Sequence, residues 1–190
     1  MVGLRNPGAE FDGTRHNIGG DVVAQLATQL DEKFRRAKRG IRAQVAEISI
    51  GEHKTYLVLP TTSMNVSGQA VVPLMQRLNT DPGQLLVVHD DIDLPFAKLR
   101  VQFGRGAGGH NGVESIRGSL GTQEFWRLKL GVGRPPGSTD PASFVLKRFS
   151  KSEQVGVEDM MARAIDVLET YIRSGPAEAR QQAGDEAGPR

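Results

Sequence analysis

The sequence predicts an α/β fold in one domain, with a largely parallel or mixed β-sheet flanked by helices. Two observations lead there. Short apolar runs of strand length alternate along the chain with stretches of helical periodicity. A length of 190 residues, 38% hydrophobic and 24% charged, suits one ordinary globular core.

Taken in order, the first apolar run covers residues 1–4, and the chain begins almost inside it. Ile18, Val22, Leu26 and Leu30 then recur every four residues with Val23 and Ala27 beside them, the signature of one helix face. Residues 43–50 and 54–60 read as two strands joined by a hairpin turn that starts at Gly51. Ser67 is placed to N-cap a helix carrying Val71, Leu74, Met75 and Leu78. Pro73 lies deep in that helix and predicts a kink or local adjustment. Strands follow at 84–89 and 98–103, a helix at about 111–120 stopped by Gly121, and a strand at 126–131. Val157, Met161, Ala164, Ile165, Leu168 and Ile172 mark a longer last helix. Gly175 and Pro176 end it, so the domain is expected to span 1–174. Residues 175–190 are rich in Ala, Gln, Gly and Glu without apolar periodicity, and are expected to form a disordered tail.

Composition removes several classes of chemistry. There are no cysteines, hence no disulfides, no thiolate catalysis and no sulfur-built metal site. No apolar run is long enough to span a bilayer, and no charged segment followed by an apolar stretch opens the chain as a secretory signal would. Cytoplasm is therefore the expected compartment. The net charge is only +2, but it is uneven: Arg35, Arg36, Lys38, Arg39 and Arg42 cluster, as do Lys98, Arg100 and Arg105. Such clusters attract nucleic-acid phosphates or are plain solvated faces, and charge alone does not choose between them.

The four histidines differ in setting. His53 lies in the hairpin turn between Glu52 and Lys54, and His89 ends an apolar strand, where a satisfied structural histidine is expected. His16 and His110 stand in polar loops, Thr14-Arg15-His16-Asn17 and Gly109-His110-Asn111-Gly112. Asn6, Asn65, Asp90, Asp91, Asp93 and Asn111 also follow predicted strands or the glycine-rich run. A parallel sheet gathers such strand ends at one edge, where sites are built. A histidine, a carboxylate and three amides there suit hydrolysis: imidazole takes a proton from water, the carboxylate fixes its tautomer, and uncharged amides hold a peptide and an oxyanion. No Gly-x-Ser-x-Gly elbow is present, which favours activated water over an acyl-enzyme.

Two other readings compete. Gly104-Arg105-Gly106-Ala107-Gly108-Gly109 matches a dinucleotide-binding pattern, although it falls mid-chain, and Glu124 at the ribose spacing ends no second strand. His89, Asp90, Asp91 and Asp93 could ligate a hard metal, but consecutive residues on an extended chain point to opposite sides. Neither a cofactor nor a metal is expected.

Five motifs in this order resemble the bacterial peptidyl-tRNA hydrolase family. They are Gly3-Leu4-Arg5-Asn6-Pro7-Gly8, Thr14-Arg15-His16-Asn17-x-Gly19, Pro60-Thr61-Thr62-Ser63-Met64-Asn65-Val66-Ser67-Gly68, His89-Asp90-Asp91-Ile92-Asp93-Leu94-Pro95 and Gly108-Gly109-His110-Asn111-Gly112. Leu130-Gly131-Val132-Gly133-Arg134-Pro135 follows, and the resemblance spans about residues 1–174. It implies one α/β domain with a twisted mixed sheet of the phosphorylase/hydrolase-like kind. It also implies metal-independent cleavage of the ester between a peptide and the terminal adenosine of tRNA, by a monomer that binds the acceptor stem and 3′ end. Position by position, His16 is the implied general base, Asp90 its partner with Asp93 in reserve, and Asn6 the residue separating N-blocked from unblocked substrate. Asn65, Asn111, Met64 and His110 are implied substrate contacts.

Three positions depart from the family pattern. Phe11 stands where tyrosine is usual, which keeps a ring for stacking but loses a hydroxyl. Ser63 replaces the usual aromatic, and Gln102 a frequent phosphate-binding lysine, whose charge Lys129, Arg100 and Arg105 would supply. These departures motivate the alternative of a non-catalytic RNA-binding relative.

Overall fold

The computed structural model describes residues 1–135 and 137–184. Seven strands form one mixed sheet in the order β2-β3-β4-β1-β5-β7-β6. They are β1 (Val2–Gly3), β2 (Arg35–Arg36), β3 (Ala43–Ile50), β4 (His53–Pro60), β5 (Leu86–Asp91), β6 (Leu99–Phe103) and β7 (Trp126–Gly131). The central four, β4, β1, β5 and β7, run parallel, while β2, β3 and β6 run antiparallel to their neighbours. The carboxyl ends of four strands therefore open on one edge of the sheet, which is where a site is expected in such a fold.

Helices cover both faces because strand side chains alternate. On one face, α1 (Ile18–Gln29) and α5 (Gln154–Ser174) pack Val22, Leu26, Met160 and Leu168 against Leu57, Val88 and Leu128. On the other, α2 (Gly68–Leu78) and α3 (Asn111–Leu120) pack Val71, Leu74, Val113 and Ile116 against Val2, Val58 and Val87. α1 sits unusually close to the sheet. A Cβ on Gly19 would lie 2.2 Å from the Val88 carbonyl oxygen, so only glycine lets the start of α1 lie against the middle of β5. That approach brings the turn before α1 to the strand ends. Among the described residues, no helix is long and apolar enough to cross a membrane.

The hairpin forms with a two-residue turn, Gly51 adopting φ 61 between the paired Ile50 and His53. α3 spans its expected residues, with Gly121 at φ 70 closing it. Elsewhere the structure corrects the expectations. β1 shrinks to two residues, and β5 starts later because Pro82–Gln84 forms a 3-10 turn capped reciprocally by Asp81 and Gln84. Ser67 does not cap α2: its hydroxyl turns back to the Met64 carbonyl at 2.8 Å, and α2 runs unbroken through Pro73. The chain after 174 is not structureless: α6 (Pro176–Gln182) folds there with Ala179 fully buried. Gly175, at φ 92, breaks the chain direction, and Pro176 starts a helix at the position where proline is favoured. Residues 185–190 of that expected tail lie outside the described residues. A short α4 (Pro141–Val145), started by Pro141 and capped by Asp140, went unpredicted because five residues are too few for a periodic pattern.

Candidate active site

The site assembles from the loops that follow β1, β4 and β5, the turn before α1, and the first turn of α3. His16 lies in a 3-10 turn, Arg15–Asn17, immediately before α1. Asn17 fastens that turn to the loop after β1: its Oδ1 accepts from the Asn6 amide at 2.8 Å and its Nδ2 donates to the Asn6 carbonyl at 3.0 Å. The Asn6 side chain in turn accepts from the Met64 amide at 2.8 Å through Oδ1. That bond fixes the rotation of the Asn6 amide and leaves its Nδ2 as the donor available to a ligand.

At the end of β5, Asp90 is 2% exposed and His16 is 8% exposed. His16 Nδ1 and His110 Nε2 both lie 2.9 Å from Asp90 Oδ1. The protons can be counted. His110 Nδ1 accepts from the Gly112 and Val113 amides at 3.1 and 3.3 Å, at the N-terminus of α3, so the ring's proton sits on Nε2 and points at Asp90. The same carboxylate takes the Nδ1 proton of His16. His16 Nε2 is left as a basic lone pair with no protein partner among the described residues. Burial alone would raise the Asp90 carboxyl, but His110 and His16 outweigh it and hold the group well below the usual carboxylate range. Asp90 therefore stays ionised.

Two cavities meet at His16. The smaller, about 240 Å³, is walled by Asn6, Met64, Asn65 and Asn111 with the apolar Val145 and Leu146. The larger, about 390 Å³, runs past His89, Asp91, the Ala107–Gly109 backbone and Asp140. Of the residues singled out in the sequence, the structure gathers Asn6, His16, Met64, Asn65, Asp90, His110 and Asn111. Phe11, Ser63, Arg100 and Lys129 line neither cavity. Lys129 is ion-paired with Asp91, which lines the larger cavity, and Arg100 is its cross-strand neighbour on the edge strand β6. Asp93 points elsewhere and pairs with Arg134, which removes it as the histidine's partner.

Three features gain a definite setting from this geometry. His110 has both ring nitrogens committed within the protein, one of them to Asp90, while its ring also lines the larger cavity. His89 is only half satisfied: Nδ1 donates to the Asp90 carbonyl at 2.7 Å, while Nε2 is buried without a protein partner. Burial first, and then His110, push its pKa well down, so it is neutral. The glycine-rich run presents carbonyls inward, not amides to a pyrophosphate. The 2% exposed Arg127 on β7 donates to the carbonyls of Gly104, Arg105 and Gly106, so the loop is wrapped around a guanidinium. A buried arginine inside an apolar strand was the signal in the sequence that could have exposed this role.

His16, Asp90 and His110 also offer three atoms within 4.8 Å of one another, close enough to suggest a cation. The atom His110 would contribute carries its proton, held there by two helix amides, so the donor set fits a hydrogen-bond chain better than a metal. Asp91 at the end of β5 and Asp93 just after it are likewise engaged, by Lys129 and Arg134.

Sequence reading also missed Arg15. Its guanidinium is buried and forked: Nη2 donates to both carboxylate oxygens of Glu153 at 2.9 and 2.8 Å, and Nη1 donates to the carbonyls of Lys147 and Arg148. It stacks on Phe144 and Phe149 at 4.2 and 4.9 Å. One residue from His16, this side chain holds α4 and the segment after it, which roof both cavities with Ala142 and Val145. Arg15→Lys keeps the charge but loses the fork. It is expected to raise KM about fivefold with kcat within about threefold of wild type, because the Asp90–His16 pair does not depend on it. A collapse of kcat at unchanged KM in steady-state assays would contradict a role in holding the roof.

Residues 1–188 match the family model described as peptidyl-tRNA hydrolase. The chain is 42% identical over 185 residues to the peptidyl-tRNA hydrolase of Mycobacterium marinum, covering 96% of each protein. It is 46% identical over 176 residues to that of Chloroflexus aggregans, covering 92% of this chain and 93% of the other. The crystal structure of peptidyl-tRNA hydrolase from Acinetobacter baumannii superposes with a TM-score of 0.89 at 31% identity, covering 96% of this chain and 92% of that one.

Proposed function

The chain belongs to the peptidyl-tRNA hydrolase family, and from that premise we propose that this cleft cleaves the ester joining a peptide to the 3′ adenosine of tRNA, with His16 as general base. The observation that carries the assignment is the proton count at Asp90, which leaves the Nε2 lone pair of His16 at the junction of two cavities.

Nε2 takes a proton from water as the oxygen attacks the ester carbonyl carbon. The carbonyl oxygen becomes an oxyanion, and Asn6 Nδ2, whose partner oxygen is already bound to Met64, donates to it. The tetrahedral intermediate collapses by breaking the bond to the ribose oxygen. The imidazolium returns its proton to that oxygen, releasing peptide acid and tRNA. Asp90 stabilises the imidazolium throughout, and His110 keeps Asp90 in place. An activated ester needs no Lewis acid for these steps. The peptide lies in the smaller cavity, where Asn65 and Asn111 pair with its backbone amides and Met64, Val145 and Leu146 take side chains. An unblocked aminoacyl group lacks the peptide bond that Asn6, Asn65 and Asn111 line this cavity to receive, and leaving their amides unpaired disfavours it.

In this reading the partner is the acceptor stem and 3′ end of tRNA, Phe11 offers its ring to a base, and a monomer works in the cytoplasm. The catalytic unit is residues 1–174 with α6 packed on it. A non-catalytic RNA-binding relative would have no use for an intact base and carboxylate at 2.9 Å, and the departures at Phe11, Ser63 and Gln102 leave that pair untouched. The test is peptide release from N-acetyl-aminoacyl-tRNA with unblocked aminoacyl-tRNA alongside. Release from the blocked substrate, at least about 100-fold faster than from the unblocked, is expected from differential pairing alone. No release from either overturns the reading.

A further inference from the structure

The cleft accounts for the 3′ end of the substrate but not for the most cationic stretch of the chain. Lys33, Arg35, Arg36, Lys38, Arg39 and Arg42 fall within ten consecutive residues that contain no acid, the nearest being Asp31 and Glu32 just before them. All six side chains are exposed. Among the described residues none of them forms an ion pair, whereas Glu47 on neighbouring β3 is already taken by Lys54.

The fold places this stretch beside the site. Arg35 and Arg36 form β2, the outermost strand, paired with Val45 and Gln44 of β3. β3 begins at Ala43, opposite Pro60, the last residue of β4 before the loop that carries Met64 and Asn65. Arg42 joins the two directly: its carbonyl accepts from the Thr61 amide at 2.9 Å, and its guanidinium donates to Gln69 at the start of α2. Two strand spacings, about 10 Å, separate β2 from the end of β4. The ribbon is therefore continuous with the Asn65 wall of the cleft and on the opposite sheet edge from β6, where Arg100 lies.

Edge strands often carry a lysine or two to discourage pairing with other chains. Six cations with no acid among them exceed that need, and they match a polyanion running outward from the cleft. We propose that residues 33–42 form a second anchoring surface that binds phosphates of the tRNA body while its 3′ end occupies the cleft. This rests on the hydrolase reading for the identity of the RNA. The surface reads no sequence, since phosphate contacts position without specifying.

The test compares wild type with the triple variant Arg35→Gln, Arg36→Gln, Arg39→Gln on two substrates: N-acetyl-aminoacyl-tRNA, and the same acyl group on a CCA trinucleotide. KM for the tRNA is expected to rise about tenfold near 0.1 M salt. The slope of log KM against log salt should flatten by about 2 to 3, roughly one unit per lost phosphate contact. Trinucleotide kinetics should not change. Lys38→Gln with Arg39→Gln, confined to the turn after β2, should act in the same direction by a smaller factor and guards against misfolding of the triple variant. Unchanged tRNA KM and salt slope overturn the surface and leave the hydrolase reading standing. Should wild type hydrolyse neither substrate, the hydrolase reading fails, and direct tRNA binding decides the surface: affinity lost in the variant supports it, equal affinity overturns it. Loss of binding to phosphatidylglycerol vesicles at unchanged tRNA KM assigns the patch to a membrane and also overturns it.

Discussion

Replacing His16 by alanine is expected to lower kcat for peptidyl-tRNA hydrolysis by about 10² or more while leaving KM within about threefold, the loss typical of a missing general base. The geometry supports a kcat effect for a specific reason. His16 is anchored by its Nδ1 bond to Asp90, whereas the walls that hold substrate are Asn6, Asn65 and Asn111 on other loops. Those walls are braced independently of the imidazole: Asn17 holds the Asn6 backbone and Asn6 holds the Met64 amide. Binding should therefore survive the loss of the base. The residual rate reports the amide donors alone, and added imidazole, small enough for the vacated space, should restore part of the lost rate. An alanine variant that turns over within about fivefold of wild type leaves no place for His16 as base.

How much of this could be read without coordinates follows from where each partner lies in the chain. The strand and helix alternation and the loops at strand ends are local patterns, so the α/β class, the hairpin at Gly51 and the limits of α3 were legible. The pairing of His16 with Asp90 was reachable through motif resemblance, though 74 residues separate the two. Three kinds of feature were not. Arg15 and Arg127 act on backbone carbonyls 132 and 21 residues away, and a carbonyl has no sequence signature. β2 and α4, at two and five residues, cover little more than one period of the alternations that mark strands and helices, so no pattern has room to repeat. The role of His110 depends on which nitrogen carries the proton. Only the two amides of α3 facing Nδ1 reveal that, and they fix the Nε2 proton on Asp90. Pro176 carried a double meaning: after Gly175 it reads as a stop, yet it opens α6.

Asp90→Asn is the second large effect, and its sign can be worked out from the hydrogen-bond inventory. Two N–H donors, from His16 and His110, converge on one carboxylate oxygen. A carbonyl oxygen of asparagine can accept both but brings no charge to stabilise the imidazolium. If the amide nitrogen turns inward, it faces two donors, and since His110 is locked by the α3 amides, His16 is the ring that must change tautomer. Its proton then moves to Nε2, and the base is lost. Either way kcat is expected to fall about 10² to 10⁴, the upper end being the cost of a wrong tautomer in a serine-protease triad. The pH dependence follows as well. A carboxylate held well below its ordinary range contributes stability above the unfolded value near pH 4, lost only as pH falls through its lower folded value. Asp90 is thus ionised throughout the working range, and any acid limb of the wild-type pH–rate profile above about pH 4 does not come from its protonation. A wild-type profile whose acid limb vanishes in Asp90→Asn at otherwise high activity would assign that limb to the carboxyl and contradict the proton count at Oδ1, on which the mechanism stands.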